Sequence, residues 1–149
     1  MQLQGQYTVR CTPEQAWQGL MDPDLLHRTI PGCVSLEEVE PDVFAAEFHL
    51  GVAAVKGSYK GRVEIVDKEA PAAYALKIAA SGTPGFVEAL VHFELHGEAA
   101  ETLLRYSGDA QVGGPIASVG QRVVGGVAKL VISQFFAALT RELESAAAR

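Results

Sequence analysis

Gly113-Gly114-Pro115-Ile116-Ala117-Ser118-Val119-Gly120-Gln121-Arg122 marks the point where the chain stops alternating and begins to repeat with a helical period. A proline behind a glycine is pre-set for a first helical turn, and from there to Arg149 the pattern predicts one uninterrupted helix. Upstream, apolar and polar residues alternate with period two over most of the length, as in half-buried strands. A long helix laid across a curved antiparallel sheet encloses a space, and the residues turned into that space are apolar.

In the first strand Leu3, Gly5, Tyr7, Val9 and Cys11 share one face, and Gln2, Gln4, Gln6, Thr8 and Arg10 the other. Thr12-Pro13-Glu14-Gln15 then supplies an N-cap hydroxyl, a proline at the first helical position and a capping-box glutamine. A short helix follows, burying Ala16, Trp17, Leu20 and Met21. Asp22-Pro23 repeats the start signal for a second short helix carrying Leu25 and Leu26, which Pro31-Gly32 stops. Six further strands are expected at about 34–39, 43–50, 55–67, 73–81, 87–96 and 102–112, separated by turn residues such as Glu40-Pro41-Asp42 and Gly82-Thr83-Pro84-Gly85. In the strand at 55–67, Val55, Gly57, Tyr59, Gly61, Val63 and Ile65 face inward, and the glycines are expected to leave room beside the Tyr59 ring. The sum is an α+β chain: a curved seven-stranded antiparallel sheet wrapped around a long C-terminal helix, with two short helices after the first strand, in one domain over residues 1–149.

Charge and composition narrow the function. With 18 acidic against 12 basic residues the formal net charge is −6, which excludes a general nucleic-acid binder, since that role needs clustered Lys and Arg. Met1-Gln2-Leu3-Gln4-Gly5-Gln6 lacks the basic start and apolar run of a secretory leader, so a cytoplasmic location is expected. The low-charge stretch 112–140 contains Arg122, Lys129, Gly120, Gly125 and Gly126, which argue against a membrane span. Cys11 and Cys33 occupy no metal-ligand or redox spacing and read as reduced structural thiols.

Groups that could do chemistry are scarce. His92, Glu94 and His96 project from one side of a strand, but Val91, Phe93 and Leu95 must take the core side, so the trio faces solvent and no metal site is expected. His49 is outward by the same parity. The polar groups turned inward are Tyr7, Tyr59, Tyr74 and Tyr106, and a tyrosine with an ordinary pKa of about 10 is a poor base. No nucleophile stands beside an evident base. Gly113-Gly114-Pro115 could offer backbone N–H groups to an anion, yet the same residues read better as a tight turn with a glycine N-cap.

The expected cavity lining is Phe48, Val55, Tyr59 and Val63, with Leu104 and Tyr106 from the last strand and Val123, Val127 and Leu130 from the helix. Beyond Val131 the apolar set becomes Ile132, Phe136, Leu139 and Leu143, which at about 100° per residue falls on the side that is polar earlier. Either the helix bends and buries this second set, or it exposes a stripe for a partner or a membrane. Those four are therefore candidate contact residues.

Four blocks resemble the CoxG family, the G-subunit family of carbon monoxide dehydrogenase, within the START-like helix-grip (SRPBCC) superfamily: Ile30-Pro31-Gly32-Cys33, Val55-Lys56-Gly57-Ser58-Tyr59-Lys60-Gly61, Gly82-Thr83-Pro84-Gly85-Phe86, and the run from Tyr106 to Arg122. The resemblance covers essentially the whole chain. It implies a helix-grip fold and a non-catalytic accessory role beside a molybdenum-dependent dehydrogenase, by membrane recruitment or by delivery of a lipophilic electron acceptor such as a quinone. No cofactor is implied beyond such a quinone or lipid, and any membrane contact would be peripheral, at the inner face. Two alternatives stay open: a cyclase- or hydrolase-like enzyme using an inward tyrosine, and a protein-interaction module with a filled core.

Overall fold

Alternation builds seven strands: β1 (Gln2–Val9), β2 (Cys33–Glu40), β3 (Val43–Leu50), β4 (Gly57–Glu69), β5 (Ala73–Gly82), β6 (Gly85–Glu98) and β7 (Glu101–Gly113). In the computed structural model, which describes residues 1–52 and 55–149, they form one antiparallel sheet in the order β1-β7-β6-β5-β4-β3-β2. Strands adjacent in sequence pair as a meander from β2 to β7, and β1 returns to pair with β7. Gln2 faces Asp109 and Val9 faces Thr102 across that pair. The expected strands lie within two residues of the observed bounds, except at the start of β6, which takes in Gly85 and Phe86.

Between β1 and β2 stand α1 (Pro13–Leu20) and α2 (Pro23–Thr29). The capping box forms as its sequence requires: the Gln15 backbone N–H donates to Thr12 Oγ1 at 3.1 Å, and the Thr12 N–H donates to Gln15 Oε1 at 2.9 Å. Asp22 caps α2 by accepting from the Asp24 N–H at 3.0 Å.

The C-terminal helix is not uninterrupted. Pro115–Val119 forms a separate turn of 3-10 helix, and Gly120 then adopts φ +96°, ψ 153°, a conformation that a side chain would oppose. The long helix α3 (Gln121–Ala147) begins only after this break. Its second half is locked down. Phe136, Leu139 and Leu143 are buried with Val9, Phe44, Phe93 and Leu104 in the core, and a side chain at Gly19 of α1 would collide with Leu143. Arg28 pairs with Glu142 at 3.3 Å, and the Arg10 N–H donates to Glu144 Oε2 at 2.9 Å.

The first half differs: no residue from 121 to 135 is fully buried. The concave face of the sheet shows the same division. Val63, Ile65, Tyr74 and Phe93 are buried toward one end, whereas Phe48, Ile78, Val87 and Val112 toward the other are only half-buried although they point inward. The molecule thus has a packed end under α1, α2 and the last turns of α3, and an unfilled end under the first turns of α3. By length and composition α3 could cross a membrane, with a mean hydropathy of 1.7 in its most apolar stretch, despite Arg122, Lys129 and the glycines. In this fold that apolarity serves the roof of the unfilled end and the core beyond it.

Gly61 does not create the empty space. A side chain there would run into the carbonyl of Ala79 and the backbone of Ala80, so the glycine permits close approach between β4 and β5. A Cβ at Gly57 would lie 2.6 Å from the Pro84 ring.

Candidate functional site

The unfilled end is a cavity of about 350 Å3. Val124, Val127, Ala128, Val131, Ile132 and Phe135 roof it, spaced three and four residues apart along one side of α3. Inner-face residues of β3 to β7 make its walls, and Leu20, Tyr74, Phe93 and Phe136 close it where the packed core begins. Every lining side chain is apolar or a tyrosine, so no carboxylate, amine, imidazole or thiol among the described residues reaches the space. A void this apolar holds water poorly, and its volume falls within the range of small-molecule sites. The core is therefore not filled, which removes the expectation of a purely packed interaction module.

Six of the residues expected to line a cavity stand on its wall: Phe48, Val55, Tyr59, Val63, Tyr106 and Val127. Leu104, Val123 and Leu130 do not. Leu104 has the right inward parity but sits at the packed end, 1% exposed. Val123 and Leu130 are 42% and 44% exposed, because the roof stripe runs through Val124, Ala128, Val131 and Phe135, turned by one residue, or about 100°, from the stripe read in the sequence. With that register the apolar face never switches sides. Ile132 lines the cavity, and Phe136, Leu139 and Leu143 continue the same stripe into the core, so these four form no exposed contact surface. The large apolar residues exposed around the start of α3 are instead Val119, Val123 and Leu130. Sequence reading passed over Phe44, Leu76, Ile78, Ala89, Val124 and Phe135, although strand parity places Leu76 and Ile78 opposite Lys77.

The tyrosines carry the cavity's side-chain polarity. The Tyr59 hydroxyl is already committed, donating to the Val55 carbonyl at 2.6 Å. Burial raises the pKa of Tyr59, Tyr74 and Tyr106, the last with a smaller contribution from Tyr7. These phenols stay neutral and can donate a proton to a hydrogen bond, but they are not bases. The Tyr74 ring stacks on Phe93 at 4.9 Å and meets Trp17 edge-on at 5.6 Å. The Tyr106 ring lies over Gly5, where a side chain would overlap its hydroxyl end.

Outside the cavity the structure offers little chemistry. Burial pushes the Cys11 and Cys33 thiols up, which holds them in the unreactive protonated form. His92, Glu94, His96 and His49 are exposed, with His96 3.6 Å from Glu94. Among the described residues no three His, Cys, Asp or Glu side chains are grouped to hold a metal ion. At the glycine-rich turn, the Ile116 N–H donates to the Pro84 carbonyl at 2.8 Å and the Ala117 N–H to the Gly114 carbonyl at 3.0 Å, so these amides serve the turn.

Residues 5–144 match the family model for CoxG, the G-subunit of carbon monoxide dehydrogenase. Among solved structures, a conserved protein from Geobacillus kaustophilus is 40% identical with a TM-score of 0.94, over 97% of this chain and 96% of that one. A START superfamily protein from Mycobacterium smegmatis has a TM-score of 0.75 at 14% identity, over 97% of each chain. The Zhui aromatase/cyclase of a Streptomyces species has a TM-score of 0.70 at 14% identity, over 97% of this chain and 93% of that one. The last two likenesses show a shared helix-grip fold. Among curated protein sequences, none matches this chain.

Proposed function

Because the chain belongs to the CoxG family of carbon monoxide dehydrogenase, we propose that it is a non-catalytic accessory protein that holds a quinone- or lipid-like molecule beneath α3 in the service of a molybdenum-containing carbon monoxide dehydrogenase. The observation that carries this reading is the cavity: about 350 Å3, lined by apolar side chains and tyrosines, with neither a base nor a nucleophile facing it. Such a site gains affinity from buried apolar area, at roughly 25 cal/mol per Å2, and cannot pull a proton from a substrate.

The roof supports a role at the inner face of the membrane. Val119, Val123 and Leu130 are exposed near Arg122 and Lys129, and no acidic residue occurs from Gly113 to Thr140 in a chain that is acidic elsewhere. Apolar side chains flanked by positive charge suit an anionic lipid surface. The test is a titration with a panel of short-tailed quinones and lipids, read by Trp17 fluorescence and by native mass spectrometry. One-to-one binding of at least one apolar ligand is expected, and failure of the whole panel overturns the reading.

A further inference from the structure

The cavity holds one polar side chain with no protein partner that is also deeply buried. Tyr74 is 4% exposed and lies at the closed end, between Phe93 and Trp17. Its hydroxyl makes no hydrogen bond among the described residues, yet no side-chain oxygen or nitrogen among them is both sealed and unpartnered. That hydroxyl therefore touches open space, and the space beside so buried a ring is the cavity it lines. Tyr59 cannot play the same part, because its proton is given to the Val55 carbonyl.

On the proposed reading of the cavity as a ligand site, we infer that the Tyr74 hydroxyl is the donor that receives the ligand's polar end, so that the molecule enters head first and its head is a neutral hydrogen-bond acceptor. An unpaired buried hydroxyl is costly, and an acceptor brought to it regains that cost at the moment of binding. A carboxylate is excluded by the same surroundings, since no cation lines the cavity to compensate a buried negative charge. The site thus separates ketones, quinones and esters from free fatty acids through one residue, and directs the apolar tail toward the roof and the half-buried end of the sheet.

The test uses one tail with three heads: dodecane, 2-dodecanone and dodecanoate, titrated against wild type and Tyr74→Phe at pH 8. In wild type the ketone is expected to bind about three- to tenfold more tightly than the hydrocarbon, and dodecanoate more weakly than either. Tyr74→Phe keeps the ring and its stack on Phe93, so dodecane affinity should persist and report an intact fold, while the ketone's advantage disappears. The carbonyl stretch of bound 2-dodecanone should move to lower frequency in wild type and lose that shift in the variant. A ketone advantage that survives in Tyr74→Phe, or dodecanoate binding as tightly as the ketone, overturns the inference and leaves the cavity as a binding site. Failure of all three probes to bind overturns the cavity reading and the inference with it.

Discussion

The rings of Tyr7 and Phe136 stack 4.2 Å apart with 11° between their planes, which fastens the edge strand β1 to the second half of α3. Phe136 also lies 5.2 Å from Tyr106 and is 2% exposed, so it closes the cavity where the packed core begins. Phe136→Ala should therefore cost about 3–5 kcal/mol, as for other truncated buried aromatics. Val123→Ser, on the outer side of the roof, should change stability by no more than about 0.5 kcal/mol. Urea denaturation of both variants checks this, and a small loss at Phe136 would mean that α3 is not anchored there.

Filling the cavity should separate binding from folding. Ala89 is a half-buried wall residue on β6 that faces the open space, so Ala89→Phe adds a ring where there is room for one. Apolar-ligand affinity is expected to drop at least about tenfold, with stability changed by less than the ~1–3 kcal/mol of overpacking in a filled core. Fluorescence titration beside a thermal melt measures both quantities. Unchanged affinity in the folded variant would place the ligand elsewhere.

Gly61 gives the contrasting case. Its missing side chain lets β4 and β5 approach, so even Gly61→Ala drives an atom into the Ala79 carbonyl. A loss of roughly 1–3 kcal/mol or more is expected from this one methyl group. A neutral effect would show that the sheet can open at this point and that its curvature does not depend on the glycine.

The tyrosines set a limit at alkaline pH. In the folded chain burial raises Tyr59, Tyr74 and Tyr106 above the unfolded value of about 10. The folded state keeps these phenols neutral while the unfolded chain ionises, so their stabilising contribution is complete below about pH 10 and declines as pH rises toward the folded values. Denaturation between about pH 8 and about pH 11.5 should show stability falling above about pH 10, less steeply in Tyr74→Phe. An identical decline in that variant would contradict the burial of Tyr74.

Much of the fold was legible because strand parity and capping are local. Thr12 and Gln15 announced α1, and Val63 against Arg62 announced the inner face of β4. Parity reports which face a residue takes but not its height along the strand, which is why Leu104 reads like Tyr106 although only Tyr106 reaches the cavity. The roof was misread for a different reason. From Val123 to Leu139 the helix is apolar around most of its circumference, so periodicity alone admits two registers one residue apart. The choice is made by contacts distant in sequence, Gly19 with Leu143 and Tyr7 with Phe136. The break at Gly120 is likewise a tertiary choice, since the surrounding pattern permits helix on both sides.

The most direct test of the account is a crystal structure of the protein saturated with a short-tailed naphthoquinone. The ligand is predicted between the concave face of the sheet and the first half of α3, touching Phe48, Tyr59 and Val127, with a carbonyl oxygen within hydrogen-bond distance of the Tyr74 hydroxyl. Ligand bound only outside this space, or a crystal from a saturating solution with the cavity collapsed and no ligand in it, would contradict the claim that the chain is a carrier of apolar molecules.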